Sequence, residues 1–589
     1  MRIVTLCLLL CVVQGLFAGV CPALASETRK KLIASGWDIP TAQQLRRDLA
    51  QIEQGPFDGV LVEAKAFGAP GDINSCPFRE AFSRKAWQRE WFARTVADLK
   101  VVHSARLTDN FLSLNANPGD VDWFDDAGWA QIVEHMRTAA WVARQGGLQG
   151  FVFDPEPYTK PYAQFRYTVQ AQRAQHTFLE YMQKARQRGR EVMRAVVAEY
   201  PAITILAYYM QSDFAIHRWI GSPVVGLPDP RRAMIVHGDS LYPAFIDGWL
   251  DAAPPTVTFV DGDEQAYGYT GASEFRDAAA RIKGDGQEFV SPENRAKFRA
   301  QVQVGFGLYV DAHVPGLAGS YELDRGGLRP AAMLAKNVTA ALAVTDQYVW
   351  LWGEKGRWWP APGDATAGAN KTVYPLWADR IPGVLEALLV ARDPEGAQQR
   401  QWRADAARAA DLARAGTLAD LLTNGDFALG PASTGSDPAD WPSWQDDASH
   451  GNFAWDREVG AETKGSARLT GVGEGCFSQM QPIRAGHRYL MTATCRLVGQ
   501  GEPYLAAGFK DQDRTWMDES RYDRSVNLLR EPRQEGVWRQ MVLEVVPPAG
   551  AGFLVVIPGV AGQGSDRDIA WFDDVHLYDL GPEADRTTD

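Results

Sequence analysis

Short apolar runs alternate along this chain with longer stretches whose apolar residues recur at helical spacing. The runs fall at residues 32–37, 57–62, 111–114, 148–153, 203–208, 257–260, 302–310 and 348–352, each of strand length. Between them, residues 41–52, 87–99, 126–144, 171–200, 241–250, 272–299 and 331–344 read as helices; in the first, Leu45, Leu49 and Ile52 share one face. Eight strands alternating with helices across residues 27–380 predict an α/β fold, a (β/α)8 barrel. A doubly wound open sheet is the rival. It calls for a Gly-rich phosphate turn after the first strand, where this chain has Trp37-Asp38-Ile39-Pro40.

The pattern then changes. Residues 381–419 are rich in Ala, Arg, Glu and Gln and predict a helical linker. Residues 420–580 carry short alternating runs and many Gly turns, the pattern of an all-β sandwich, and the polar tail 581–589 is expected to be disordered. At the other end, Arg2 precedes a largely apolar run over 3–20, and Ala23-Leu24-Ala25 forms a small-residue cleavage site. This predicts a signal peptide over residues 1–25, a secreted or periplasmic product, and no membrane association after cleavage. Cys21 follows Val20, where a lipoprotein signal would have a small residue.

Composition narrows the classes. The 589 residues carry a formal charge of −13, which argues against nucleic acid as a partner. Tryptophan is abundant, at 20 residues, and such rings serve either large cores or platforms for sugar rings. Three cysteines follow the leader. Cys476 and Cys495 lie at nearly equal distances from a turn at Arg484-Ala485-Gly486, which predicts a disulfide across a hairpin and leaves Cys76 over.

The strand ends hold the candidate chemistry. The fourth run closes as Gly150-Phe151-Val152-Phe153-Asp154-Pro155-Glu156-Pro157-Tyr158. The prolines end any ladder, and in extended chain Asp154 and Glu156 point the same way, roughly 6–7 Å apart at Cα. Two carboxylates so placed raise each other's proton affinity, as a general acid requires. The last run ends in Trp352-Gly353-Glu354-Lys355-Gly356-Arg357-Trp358-Trp359, a carboxylate beside cations and aromatic rings. There Lys355 or Arg357 is expected to keep Glu354 ionised, as a nucleophile or second carboxylate. Trp37, Asp38, Glu63, Asn115, Tyr158, Tyr208, Asp261, Asp263, Trp352 and Trp358 are candidates for holding sugar. Asp263-Glu264 also offers a second acid or a cation ligand. No P-loop, Gly-x-Ser-x-Gly elbow or His-Glu-x-x-His occurs, so no catalytic cofactor is expected.

On Phe153-Asp154-Pro155-Glu156-Pro157-Tyr158 and Trp352-Gly353-Glu354-Lys355, the first region resembles secreted bacterial (β/α)8 glycoside hydrolases. The resemblance implies Glu156 as acid/base and Asp154 orienting the acid or a substrate acetamide. The second region resembles carbohydrate-binding modules of families four and nine, on Leu422-Thr423-Asn424-Gly425-Asp426-Phe427, Gly465-Ser466-Ala467-Arg468-Leu469, Gly486-His487-Arg488-Tyr489-Leu490 and Phe572-Asp573-Asp574-Val575. It implies a structural calcium with Asp426 and Asp574 as ligands, and sugar platforms drawn from Trp441, Trp444, Trp455 and Trp516. The expected activity is hydrolysis of glycosidic bonds in a polysaccharide or glycan. A non-catalytic carbohydrate-binding protein and a polysaccharide lyase or esterase are the alternatives.

Overall fold

Each apolar run becomes a strand of one parallel sheet in the computed structural model, which describes residues 30–217, 230–360, 374–432, 435–517, 525–527 and 534–583. The expected leader over 1–25 lies outside these residues. The chain divides into two compact units, Met1–Asp393 and Pro394–Asp589.

The strands of the first unit are β1 (Lys31–Gly36), β2 (Gly59–Val62), β3 (Phe111–Asn115), β4 (Gly150–Asp154), β5 (Thr204–Ala207), β6 (Thr258–Asp261), β7 (Val302–Val304), β8 (Phe306–Tyr309) and β9 (Tyr348–Gly353). Their order is β7-β6-β5-β4-β3-β2-β1-β9-β8, and every neighbouring pair is parallel. β7 and β8 are two halves of the single run at 302–310, parted at Gly305. One half pairs with β6 and the other with β9, so this run joins the sheet's ends into a nearly closed barrel.

The helices are α1 (Ala42–Ile52), α2 (Ala93–Lys100), α3 (Asp126–Gln145), α4 (Phe178–Glu199), α5 (Gln211–His217), α6 (Tyr242–Ala252), α7 (Ala272–Lys283), α8 (Arg295–Gln301), α9 (Pro330–Val344), α10 (Trp377–Arg380) and α11 (Val384–Arg392). Capping boxes start two of them. Thr41 with Gln44 opens α1, and Thr177 with Glu180 opens α4, which starts seven residues later than its periodicity implies. The helix expected over 272–299 is broken at Gly284 into α7, short 3-10 turns and α8.

The strands are buried on both faces, so their sequences read as continuous apolar runs. At the seam between β1 and β9, Gly36 has φ +134°, and a Cβ there would come within 1.9 Å of the Gly353 carbonyl oxygen. Only glycine fits that approach. A buried ion pair, Asp58 with Arg392, ties α11 to the start of β2, and Asp58 also accepts from Leu32 N.

The residues expected as a linker divide between the units. α10 and α11 belong to the first, while α12 (Pro394–Arg414) begins the second, at a proline that cannot continue the preceding helix's hydrogen bonds. In the second unit α12 buries Ala406 and Ala409 with Leu490, Val542 and Tyr578.

The rest of the second unit is two antiparallel sheets. One contains β10 (Ser443–Gln445), β13 (Glu474–Phe477), β14 (Gln479–Pro482), β16 (Glu502–Lys510), β17 (Ser525–Asn527) and β19 (Phe553–Ala561). The other contains β11 (Asn452–Asp456), β12 (Ser466–Thr470), β15 (His487–Val498), β18 (Arg539–Val545) and β20 (Ile569–Pro582). Phe427, Trp441, Phe477, Tyr489, Leu554 and Phe572 are among the residues that fill the core between them. This is the β-sandwich that the alternation predicts.

The expected Cys476–Cys495 disulfide is absent. Both thiols are free and buried, as is that of Cys76. The turn at 484–486 does follow β14, but the chain changes sheet there: Cys476 lies in β13 of one sheet and Cys495 in β15 of the other. Burial pushes the Cys476 thiol up to about 12 and that of Cys495 higher still.

Candidate active site

The carboxyl-terminal ends of the barrel strands gather acids and tyrosines. β4 stops at Asp154 because Pro155 and Pro157 offer no N–H to a neighbour. Asp154 sits in register with Asn115 at the end of β3, and Asn115 Nδ2 donates to its Oδ2 at 2.6 Å. Glu156 N donates to Asp154 Oδ1 at 3.0 Å. The Tyr158 hydroxyl lies between the two acids, 2.7 Å from Glu156 Oε2 and 3.2 Å from Asp154 Oδ2. Burial, reinforced by the charge of Glu156, lifts the Asp154 carboxyl to about 7, against which the donors from Glu156 N, Asn115 and Tyr158 work.

Glu264 is the third acid of this group. Its N donates to Tyr208 O at 3.1 Å, which binds the turn after β6 to the end of β5. Burial, then the charges of Glu156 and Asp154, raise its carboxyl well above the usual range, and Tyr267 is its hydrogen-bond partner. Asp239, ahead of α6, is lifted to about 7 by burial and by the charges of Asp213 and Glu156, opposed by Arg166. Tyr208 completes the wall. Its ring stacks on Trp350 at 4.3 Å and meets Trp352 edge-on at 5.6 Å, and its hydroxyl pairs with Ser35 Oγ at 3.0 Å.

Glu354 has its own set of partners. Its oxygens accept from Tyr309 at 3.0 Å and Trp352 Nε1 at 3.1 Å, while its N, with that of Lys355, donates to Asp311. The expected cations are engaged elsewhere. Lys355 Nζ donates to the Leu317 carbonyl, and Arg357 faces Asp38, whose carboxyl burial nonetheless raises. From Glu354 the contacts run through Tyr309 to Tyr267, 5.3 Å between ring centroids, and so to Glu264.

Other candidates are taken up by the fold. Glu63 is buried in an ion pair with Arg79 and accepts from Cys76 Sγ. Asp261 accepts from Met210 N, Ser212 N and Ser212 Oγ, so its oxygens hold the start of α5 rather than a substrate. Asp263, in the left-handed region at φ 37°, is fully buried and accepts from Tyr269. Trp358 packs edge-on against Phe57 at 4.9 Å and beside Trp377, as part of the core. Trp37 remains exposed at the end of β1, 6.4 Å from the Tyr374 ring.

In the second unit, Trp441 is buried and Trp455 donates to Phe427 O, but Trp444 and Trp516 are 51% and 39% exposed. Trp444 lies in β10, and Trp516 is bridged to Lys510 at the end of β16 in the same sheet. Trp444, Cys476, Gly559 and Tyr504 stand in one cross-strand row, and the Tyr504 ring covers Gly559 as the Trp516 ring covers Gly508. Rings packed against glycines make an aromatic face. Asp426 and Asp574 are brought near one another, with Val575 N donating to Gly425 O at 2.9 Å. Asp573 is raised to about 7, by burial and then by Asp574 and Asp426. These are hard oxygen donors suited to calcium, although among the described residues no three His, Cys, Asp or Glu side chains form a metal cage.

No family model and no curated protein matches the chain. The enzymatically active domain of tailspike protein 4 from bacteriophage CBA120 overlaps 27% of this chain and 21% of its own, at 13% identity and a TM-score of 0.22. A Stig cyclase from Fischerella sp. TAU overlaps 28% of this chain and all of its own, at 13% identity and the same TM-score. The module TmCBM61, solved with β-1,4-galactotriose, overlaps 27% and 99%, at 15% identity and a TM-score of 0.20. Overlaps of this quality assign no activity. Among the described residues no helix is long and apolar enough to cross a membrane.

Proposed function

We propose that the protein is an exported glycoside hydrolase that cleaves a polysaccharide or glycan by carboxylate acid/base catalysis. The observation that carries this reading is the grouping of Asp154, Glu156 and Glu264 at the carboxyl-terminal mouth of the barrel, with two of the three raised in proton affinity. Hydrolysis of a glycosidic bond needs one carboxyl to protonate the leaving oxygen and a second to act as nucleophile or to activate water. Glu156 is the acid/base. Glu264 is preferred to Glu354 as the second carboxyl, because the charges of Glu156 and Asp154 act on it. Asp154 orients Glu156 through its backbone N and through Tyr158. Tyr208, Trp352 and the exposed Trp37 supply aromatic surface for the sugar.

The aromatic face of the second unit is assigned to glycan binding, and a structural calcium with Asp426 and Asp574 among its ligands completes that unit. A panel of polysaccharides incubated with wild type, Glu156→Gln and Trp444→Ala tests the reading. Sugar release by wild type, lost in Glu156→Gln, and weaker binding to insoluble glycan in Trp444→Ala are expected. Equal release by wild type and Glu156→Gln overturns the assignment of the acid.

A further inference from the structure

Tyr158 is 58% exposed, yet its hydroxyl is bonded to both acids of β4's end. The backbone holds it there. Tyr158 N donates to Asn117 Oδ1 at 2.6 Å, and Asn117 N donates to Asn115 Oδ1 at 2.8 Å. Asn115 is the same side chain that binds Asp154 Oδ2, so one short network fixes the acid and the phenol together. A phenol has one proton and two lone pairs, so it can donate to one carboxyl while it accepts from the other.

We propose, resting on the hydrolase reading, that Tyr158 is a positioning residue that relays a proton between Asp154 and Glu156. As Glu156 gives its proton to the leaving oxygen, the Tyr158 O–H bond breaks and Glu156 Oε2 takes that proton, while the Asp154 Oδ2–H bond breaks and a new O–H bond forms on Tyr158. Three O–H bonds break and three form, Glu156 and the phenol are neutral before and after, and the negative charge ends on Asp154; the reverse transfer lets Glu156 accept a proton from the attacking water.

The surroundings suit this role. Burial of the hydroxyl against the two acids, and the charges of Asp154, Glu156 and Glu264, raise the phenol's own proton affinity, so it stays neutral. Asp154, raised to about 7, holds a proton near neutral pH. The groups that face the pair are Tyr208 and Tyr209 after β5, Asp213 on α5, Asp239 and Tyr242 at α6, and Glu264 and Tyr267 after β6, with Arg166 acting on Asp239.

Tyr158→Phe keeps the ring and removes the relay. On a glycoside the wild type cleaves, the variant is expected to lose kcat by about 10²-fold with a poor alkyl leaving group, which needs the proton. It should lose little with a 4-nitrophenyl leaving group, and KM should change little with either. Equal losses on both leaving groups, or no loss, overturn the relay and leave the hydrolase reading standing. Infrared titration of the carboxyls without substrate gives a second reading that needs no activity. The Asp154 carboxyl, which the Tyr158 hydroxyl bonds, should titrate differently in Tyr158→Phe than in wild type; identical titrations overturn the relay. If wild type cleaves no glycoside, the hydrolase reading fails, and the titration alone decides the proton link.

Discussion

Asn115 and Asp154 end adjacent parallel strands in register and are joined by a 2.6 Å hydrogen bond from amide to carboxylate. That bond favours the ionised form of a buried acid that desolvation otherwise keeps protonated. Replacing Asn115 with Leu removes the donor. Above about pH 7, where Asp154 is ionised, the first unit is predicted to lose roughly 1.5–3 kcal/mol, the range for a hydrogen bond to a charged group. Below about pH 5 the loss should be smaller. Urea unfolding of Asn115→Leu and wild type at both pH values checks this.

The folded-state proton affinity of Asp154 fixes the sign of its pH effect. Its carboxyl rises from 3.8 to about 7 in the fold. Its contribution to stability is therefore complete below about pH 4 and is lost as pH rises through about 7, a change on the order of 4 kcal/mol. Glu156→Gln removes the repulsive part and keeps the burial. The fall in stability between pH 5 and pH 8 is predicted to be shallower in Glu156→Gln than in wild type, without vanishing. Unfolding midpoints across that range provide the measurement.

The two candidates for second carboxylate separate cleanly by mutation. Glu264→Gln is predicted to lower kcat by about 10²-fold or more, and Glu354→Gln by less than about tenfold, because Glu354 is anchored by Tyr309 and Trp352. Steady-state kinetics on one substrate distinguishes them, and the reverse ranking would restore Glu354 to the role.

Asp58 and Arg392 form a pair in which the side chains are only 2% and 10% exposed. Arg392→Met leaves a buried carboxylate with its cation removed, and a loss of roughly 3–5 kcal/mol is expected. Thermal unfolding of the variant reads it directly.

Much of this fold is legible in the sequence because barrel strands buried on both faces must be apolar throughout, and because Pro155 and Pro157 mark where β4 ends. Asn115, Asp154, Glu156, Tyr158 and Tyr208 could be found as polar groups at strand ends. Which acids meet could not. Asp261, Asp263 and Glu264 look alike in sequence, but the chain leaves β6 at Gly262, so Asp261 turns to the N–H groups of Met210 and Ser212 at the start of α5 and Asp263 to Tyr269. Only Glu264 is directed at Glu156 and Asp154. Asp213, on α5, and Asp239, before α6, reach the mouth from outside the strand ends, where no strand-end rule looks. Cys476 and Cys495 flank a turn that is readable, but nothing local tells that the chain crosses to the other sheet there.

Reducing-sugar release from a polysaccharide panel by wild type and Glu156→Gln is the most direct test of the central claim. The acid grouping at the barrel mouth predicts release from at least one glycan by wild type and a loss of about 10²-fold or more in the variant. Release that is the same in both proteins would contradict it.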